Sequence, residues 1–178
     1  MQLSDLVQSL EQRKHAPTEQ WNPPYCGEIP IQIDQNGDWW YAGSVIQRKR
    51  LVQLFASVLV REGDDYFLVT PVEKVKIQVA DAPFMVTAWK TIESDHQKVI
   101  QLTLNTEETV VLKDPSQIIL KDDIPYIDLG QQLLAKVHRN VFYQWLEVAE
   151  QSVTGSVTEM ILHSAGKAFV IGQVKAEK

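Results

Sequence analysis

The spacing of apolar residues changes character several times along the 178-residue chain, and each change marks an element. Leu3, Leu6, Val7 and Leu10 recur at helical spacing, predicting a short amphipathic helix that Pro17 interrupts or follows. Trp21-Asn22-Pro23-Pro24-Tyr25-Cys26-Gly27 reads as an irregular loop, because two prolines remove backbone donors and fix φ. Ile29, Ile31 and Ile33 then alternate with Pro30 and Gln32, and Asn36-Gly37 supplies a turn before Trp39 and Tyr41, predicting a hairpin over residues 29–42. From Arg48 onward Leu51, Val52, Leu54, Phe55 and Val58 fit one buried helical face. A second hairpin follows, Val58 to Arg61 against Tyr66 to Thr70 with its turn at Gly63-Asp64-Asp65, and Val75, Ile77 and Val79 alternate as a further strand.

The second half has strand-like stretches at Met85 to Ile92, Val99 to Leu104 and Thr109 to Leu112. Gly130 is expected to open a long helix whose apolar face is Leu133, Leu134, Val137, Val141, Trp145, Val148 and Ala149. Glu159 to His163 and Ala168 to Gly172 predict a closing hairpin around Ala165-Gly166. A helix followed by a hairpin thus occurs twice, and the expected architecture is α+β with two similar β-rich modules. Their boundary is expected at Asp81-Ala82-Pro83, giving modules over residues 1–82 and 83–178.

Apolar residues make up 44% of the chain and charged residues 22%, values that fit a globular protein with a packed core. A net charge of −6 supplies no long-range attraction for phosphate backbones, and Arg48-Lys49-Arg50 has no interleaved aromatic platform, so a nucleic-acid partner is not expected. The first ten residues carry Gln, Ser and Asp among the apolar ones, unlike a signal peptide, and no later stretch is long and apolar enough to span a bilayer. A single cysteine, Cys26, leaves no intramolecular disulfide and suits a reducing compartment, so a cytoplasmic location is expected.

Candidate chemistry is sparse. Cys26 becomes a nucleophile only if a base reaches it, and His15, His96, His138 and His163 are scattered without a motif; a buried or inert thiol is the plainer reading. No His-x-His, His-x-x-x-His or Cys-x-x-Cys spacing points to a metal. Gly-x-Ser-x-Gly is missing, and the eight glycines form neither a dinucleotide fingerprint nor a Walker loop, so no cofactor is expected. Arg48 at a helix start opposes the dipole and calls for a compensating acid, with Asp34, Glu73 or Asp81 available, or for an anionic ligand. Thr70 and Glu73, with Asp81 and Phe84, stand at strand ends on either side of the expected boundary, where they serve as turn and capping residues or line a cleft between modules.

Taken together, Trp21 to Gly27, Asn36-Gly37-Asp38-Trp39-Trp40-Tyr41-Ala42-Gly43-Ser44 with Ile46 and Arg48, Leu54 to Leu59, Leu68 to Lys74 and Asp81 to Phe84 resemble a bacterial family of unknown function, DUF1285. Leu104-Asn105, Pro125-Tyr126-Ile127 and the stretch from Leu134 to Tyr143 are similar to its later blocks. Ser164-Ala165-Gly166 stands where the family has Ser-Gly-Gly, and Val45 where it has proline. The resemblance implies an α+β protein of two similar modules, the second superficially like a pleckstrin-homology fold, with no established activity.

Three functions remain open on the residues. The first is a binding or sensing module for a small molecule or peptide, with tentative site residues Trp21, Pro24, Cys26, Gly27, Arg48, Thr70, Glu73, Asp81 and Phe84 between the modules. The second is a cysteine-dependent enzyme built on Cys26. The third is a scaffold that meets other proteins through exposed β edges or through the pleckstrin-like second module, with no small ligand.

Overall fold

The computed structural model describes residues 16–176, so the helix expected over Leu3 to Leu10 lies outside the described residues. The chain divides into two compact units, Met1–Pro83 and Phe84–Lys178. It is α+β, mostly strand with two α-helices among the described residues.

In the first unit, β1 (Tyr25–Ile33), β2 (Trp39–Tyr41) and β3 (Ser44–Val45) form one meander, and β4 (Leu59–Glu62), β5 (Asp65–Val69) and β6 (Lys74–Val79) form another. Helix α1 (Lys49–Ser57) joins them. The sheet runs β3-β2-β1-β6-β5-β4, antiparallel except for the central β1–β6 pair, which is parallel. The β1–β2 turn is held by Asp34, whose Oδ1 accepts from the Asn36 and Asp38 amides at 2.9 Å, while Oδ2 accepts from the Trp40 indole at 2.9 Å. Gly37 supplies the positive φ of +82° that the turn requires. Alternation then sends Ile31, Ile33 and Trp39 inward, where Phe55 of α1 stacks on Trp39 at 6.0 Å and Leu54 is buried beside them.

The stretch expected to be irregular is only partly so, since Tyr25, Cys26 and Gly27 belong to β1. Pairing of Tyr25 with Lys74, and the Lys74 amide donating to the Pro24 carbonyl at 3.2 Å, draw this segment into the sheet despite the two prolines. Gly27, at φ +97°, lies where the β1–β6 register shifts between Tyr25 and Glu28.

The second unit repeats the sheet. β7 (Phe84–Ser94), β8 (Gln97–Leu104) and β9 (Thr109–Leu112) form a meander, a 3-10 turn at Pro115–Gln117 follows, and β10 (Ile118–Lys121), β11 (Ile124–Asp128) and β12 (Leu134–Val137) form the next. The order is β10-β11-β12-β7-β8-β9, again antiparallel except for the central pair, β12–β7. Beyond it come α2 (Arg139–Val148) and a three-stranded antiparallel sheet of β13 (Glu150–Thr154), β14 (Val157–Ser164) and β15 (Lys167–Lys175).

Two expectations are corrected here. The long helix from Gly130 does not form: Leu134–Val137 is a strand paired with β7, and the helix begins only at Arg139, capped by His138, whose Nδ1 accepts from the Asn140 amide at 3.1 Å. Leu134, Ala135 and Val137 are all buried, and so short an apolar run fits either element until a partner strand claims it. The internal similarity also lies elsewhere than in the two helix-then-hairpin segments. It equates the whole six-strand path of the first unit with β7 to β12, so the partner of α1 in the repeat is the three-residue turn Pro115–Gln117, and α2 with β13–β15 is an addition. Strands β10 to β13 have no counterpart in the sequence-based expectations.

Candidate functional site

In the first unit the outward face of the sheet carries the chemistry. Register places Tyr25, Glu28, Val60, Glu62, Asp65, Phe67, Lys74, Lys76 and Gln78 on the side opposite Tyr66, Leu68 and Ile77. At its centre Tyr25 meets Phe67 edge-on at 6.1 Å, and the Lys74 ammonium sits 4.5 Å over the Phe67 ring. Lys74 also donates to both oxygens of Glu62 at 2.7 and 2.6 Å, and Lys76 pairs with Asp65 at 3.1 Å. The hydrogen bond and charge of Asp65 hold the Lys76 ammonium above its ordinary pKa. Gln78 donates to Glu28. The result is a small apolar island ringed by ion pairs, with Tyr25 59% exposed.

Several expected site residues gather at the edge of this island. Pro24 precedes Tyr25, and its carbonyl also accepts from the exposed Cys26 thiol at 3.3 Å. Thr70 and Glu73 close the β5–β6 turn beside them: the Thr70 hydroxyl accepts from the Val72 and Glu73 amides at 3.3 and 3.0 Å, and the Thr70 amide donates to the Glu73 carbonyl at 2.8 Å. Trp21, half-buried, caps the 3-10 turn Thr18–Gln20 just upstream.

Other candidates lie elsewhere. Arg48 is an exposed N-cap of α1 whose side chain makes no capping bond, and among the described residues it forms no ion pair with Asp34, Glu73 or Asp81. Asp81 acts on the opposite face: burial pushes the Tyr66 phenol up, the carboxylates of Asp81 and Asp64 add to that push, and Arg61 opposes it. Phe84 is buried in the second unit.

The described histidines belong to the second unit. His138 caps α2 and His163 pairs with Glu150 at 2.9 Å, so the base that Cys26 requires is not found within its own unit among the described residues. Ser164 is structural: its buried hydroxyl accepts from the Ile100 amide at 2.8 Å and donates to the Leu112 carbonyl, inserting itself between two residues paired in the β8–β9 ladder. Beside it lies an open cleft lined by Thr91, Gln97, Lys98, His163 and Gly166. Among the described residues no group of three or more His, Cys, Asp or Glu side chains is placed to hold a metal, and no helix is long and apolar enough to cross a membrane.

Sequence reasoning missed Phe67 and the part played by Lys74. The signal was period-two alternation, which puts Phe67 outward between the inward Tyr66 and Leu68 but is masked by the continuous apolar run Tyr66 to Val69.

Fold and site together define a β-rich protein of two similar sheets with an aromatic and ion-paired surface on the first. Residues 16–82 match the model of the N-terminal domain of DUF1285, a domain of unknown function, and residues 83–171 match that of its C-terminal domain. The chain belongs to the DUF1285 family. It is similar to the crystal structure of a DUF1285 family protein from Silicibacter pomeroyi DSS-3, with 30% identity and a TM-score of 0.77 over 94% of this chain and 93% of that one. A second, from Shewanella baltica OS155, is 32% identical with a TM-score of 0.58 over 67% of this chain and 91% of that one. Among curated proteins none matches the chain.

Proposed function

We propose that this DUF1285 chain is a binding module that takes a small molecule or peptide on the outward face of its first sheet, where β1 and β6 begin. The observation that supports this is the exposed Tyr25 ring, held edge-on by Phe67 beside the Lys74 ammonium. A large aromatic surface fixed by packing and bordered by charge offers contact area at small entropic cost. The fitting ligand carries a flat apolar group for Tyr25 and an anionic group for Lys74, displacing the half-exposed Glu62, whose pairing is worth little in water. Pro24, Cys26, Thr70 and Glu73 stand at its edge, and Trp21 and Gly27 are kept as its neighbours along the chain. The proposal does without Arg48, the exposed N-cap of α1, and Phe84, buried in the second unit.

The same proposal takes residues 1–82 and 83–178 as its two modules, supported by the two family models that meet between residues 82 and 83. It keeps the pleckstrin-homology likeness of the second as a reading supported by a helix set against the sheet, with Trp145 of α2 edge-on to Trp89 of β7 at 6.4 Å. The test is a thermal-shift screen of the full chain against metabolites, nucleotides, lipid headgroups and short acidic-aromatic peptides. A ligand whose stabilisation is lost in both Tyr25→Ala and Lys74→Ala supports the site. A blank screen, or ligands that bind both variants undiminished, removes it.

A further inference from the structure

The free edge of the three-stranded sheet differs from the other edges of the molecule. Edge strand β3 has two residues, and β4, β9 and β10 have four each. β4 places Arg61 and Glu62 on its edge, and β10 ends in Lys121 and lies against β15. These are the devices that blunt an edge against further pairing. β13 is one residue longer than β4, β9 and β10, and its single charge, Glu150, is engaged by His163 at 2.9 Å. Its five residues, Glu150-Gln151-Ser152-Val153-Thr154, contain no proline, glycine or lysine and pair with β14 without a bulge. Among the described residues its backbone makes no hydrogen bond on the outer side.

Apolar surface lies along the same edge. Val153 is 70% exposed and stands in a cross-strand row with Thr158 and Val174, itself 61% exposed; Val148, just before the strand, is 62% exposed. Exposed valines beside an unpaired ladder give a partner strand both hydrogen bonds and apolar contact.

We propose that β13 is a self-association edge, through which two copies of this chain pair antiparallel about a two-fold axis at Ser152. Two three-stranded sheets then become one of six strands. The register that pairs all five residues sets Glu150 against Thr154 of the second copy, Gln151 against Val153 and Ser152 against itself. No like charges are opposed, and the two Val153 side chains become diagonal neighbours. That self-complementarity favours a second copy over an unrelated peptide. Because the strand is short and each chain carries a net charge of −6, association is concentration-dependent and strengthens with added salt.

The experiment is sedimentation equilibrium of the full chain from micromolar to millimolar concentration, with hydrogen exchange at both ends of that range. Dimer formation is expected, with the amides of β13 gaining protection as concentration rises. Val153→Lys, an exposed substitution that leaves the melting temperature nearly unchanged, is expected to weaken dimerisation at least about tenfold by placing charge on the edge. A wild-type chain that stays monomeric throughout, a dimer that Val153→Lys leaves unaltered, or protection that rises elsewhere and not in β13 would each overturn the proposal. If Val153→Lys does not fold, the exchange pattern of the wild-type chain decides alone.

Discussion

The two units lay down the same six-strand path, two meanders joined through a parallel central pair, yet they complete their cores differently. In the first, the connection between meanders is α1, which stacks Phe55 on the buried Trp39. In the second, that connection is the capped turn Pro115–Gln117, where Asp114 accepts from the Ser116 hydroxyl at 2.7 Å and the Ser116 amide at 2.9 Å, and those bonds hold its carboxyl below the usual range. The core there is completed by elements added at the end of the path: Trp145 from α2, with Leu162, Phe169 and Ile171 from β14 and β15, all buried. A sheet of given topology needs one face covered, and the cover is free to come from inside the path or after it.

The comparison is broken most strongly at the paired tryptophans. Trp145→Ala and Trp39→Ala are each expected to cost about 3–5 kcal/mol in denaturant unfolding, because each empties the centre of a core. Replacement by Phe at either site is expected to cost much less, since neither indole N–H has an acceptor among the described residues. Similar losses from Trp→Phe and Trp→Ala would show that a phenyl ring cannot take the place of the indole in these cores.

Ser164 tests the added sheet alone. Ser164→Ala removes the hydroxyl set between the Ile100 amide and the Leu112 carbonyl, and an expected loss of about 2 kcal/mol follows from leaving buried backbone groups unpaired. A neutral substitution would mean that β8 and β9 close directly over the gap. The first unit has its own irregularity in Gly27, where φ of +97° rather than crowding demands glycine, since an added Cβ meets nothing within 4 Å. Gly27→Ala is expected to cost about 1–2 kcal/mol, and unaltered stability would mean that the backbone relaxes there without strain.

The smallest effect is electrostatic. Burial and the neighbouring Asp34 raise the Asp38 carboxyl above its ordinary 3.8, so the folded state holds that proton more tightly than the unfolded one. The stabilising contribution is fully present below 3.8 and is lost as pH rises through the raised value, leaving an unfavourable charge at neutral pH. Asp38→Asn is therefore expected to raise the melting temperature slightly at neutral pH, with the gain shrinking as the solution is acidified toward 3.8. A gain that grows on acidification would reverse this assignment.

Much of the local structure was legible in the sequence. Asn36-Gly37, Gly63 and Ala165-Gly166 mark hairpins that form where expected, and the 3.6-residue spacing from Leu51 to Phe55 marks α1. Of the residues proposed for the site, Pro24, Cys26, Thr70 and Glu73 lie near one another within the first unit, because one parallel pair and one turn bring residues 24–26 beside residues 70–74, a proximity between distant segments that spacing alone does not give. Phe67 was hidden in an apolar run, and of the two readings of Arg48, a compensating acid or an anionic ligand, the first finds no ion pair with Asp34, Glu73 or Asp81 among the described residues. Charge spacing along a chain says nothing about which acid a helix end will face.

By itself the sequence determined what neighbouring residues decide among themselves: turns that need positive φ, strands that alternate between hairpin partners, an amphipathic helix and the family to which these blocks belong. The tertiary structure alone decided the two parallel pairings, the conversion of Leu134–Val137 from apparent helix to strand, and the true register of the internal repeat. Those outcomes depend on which distant strand offers unpaired backbone and a matching apolar face, an energy shared between segments some fifty residues apart and written in neither of them alone.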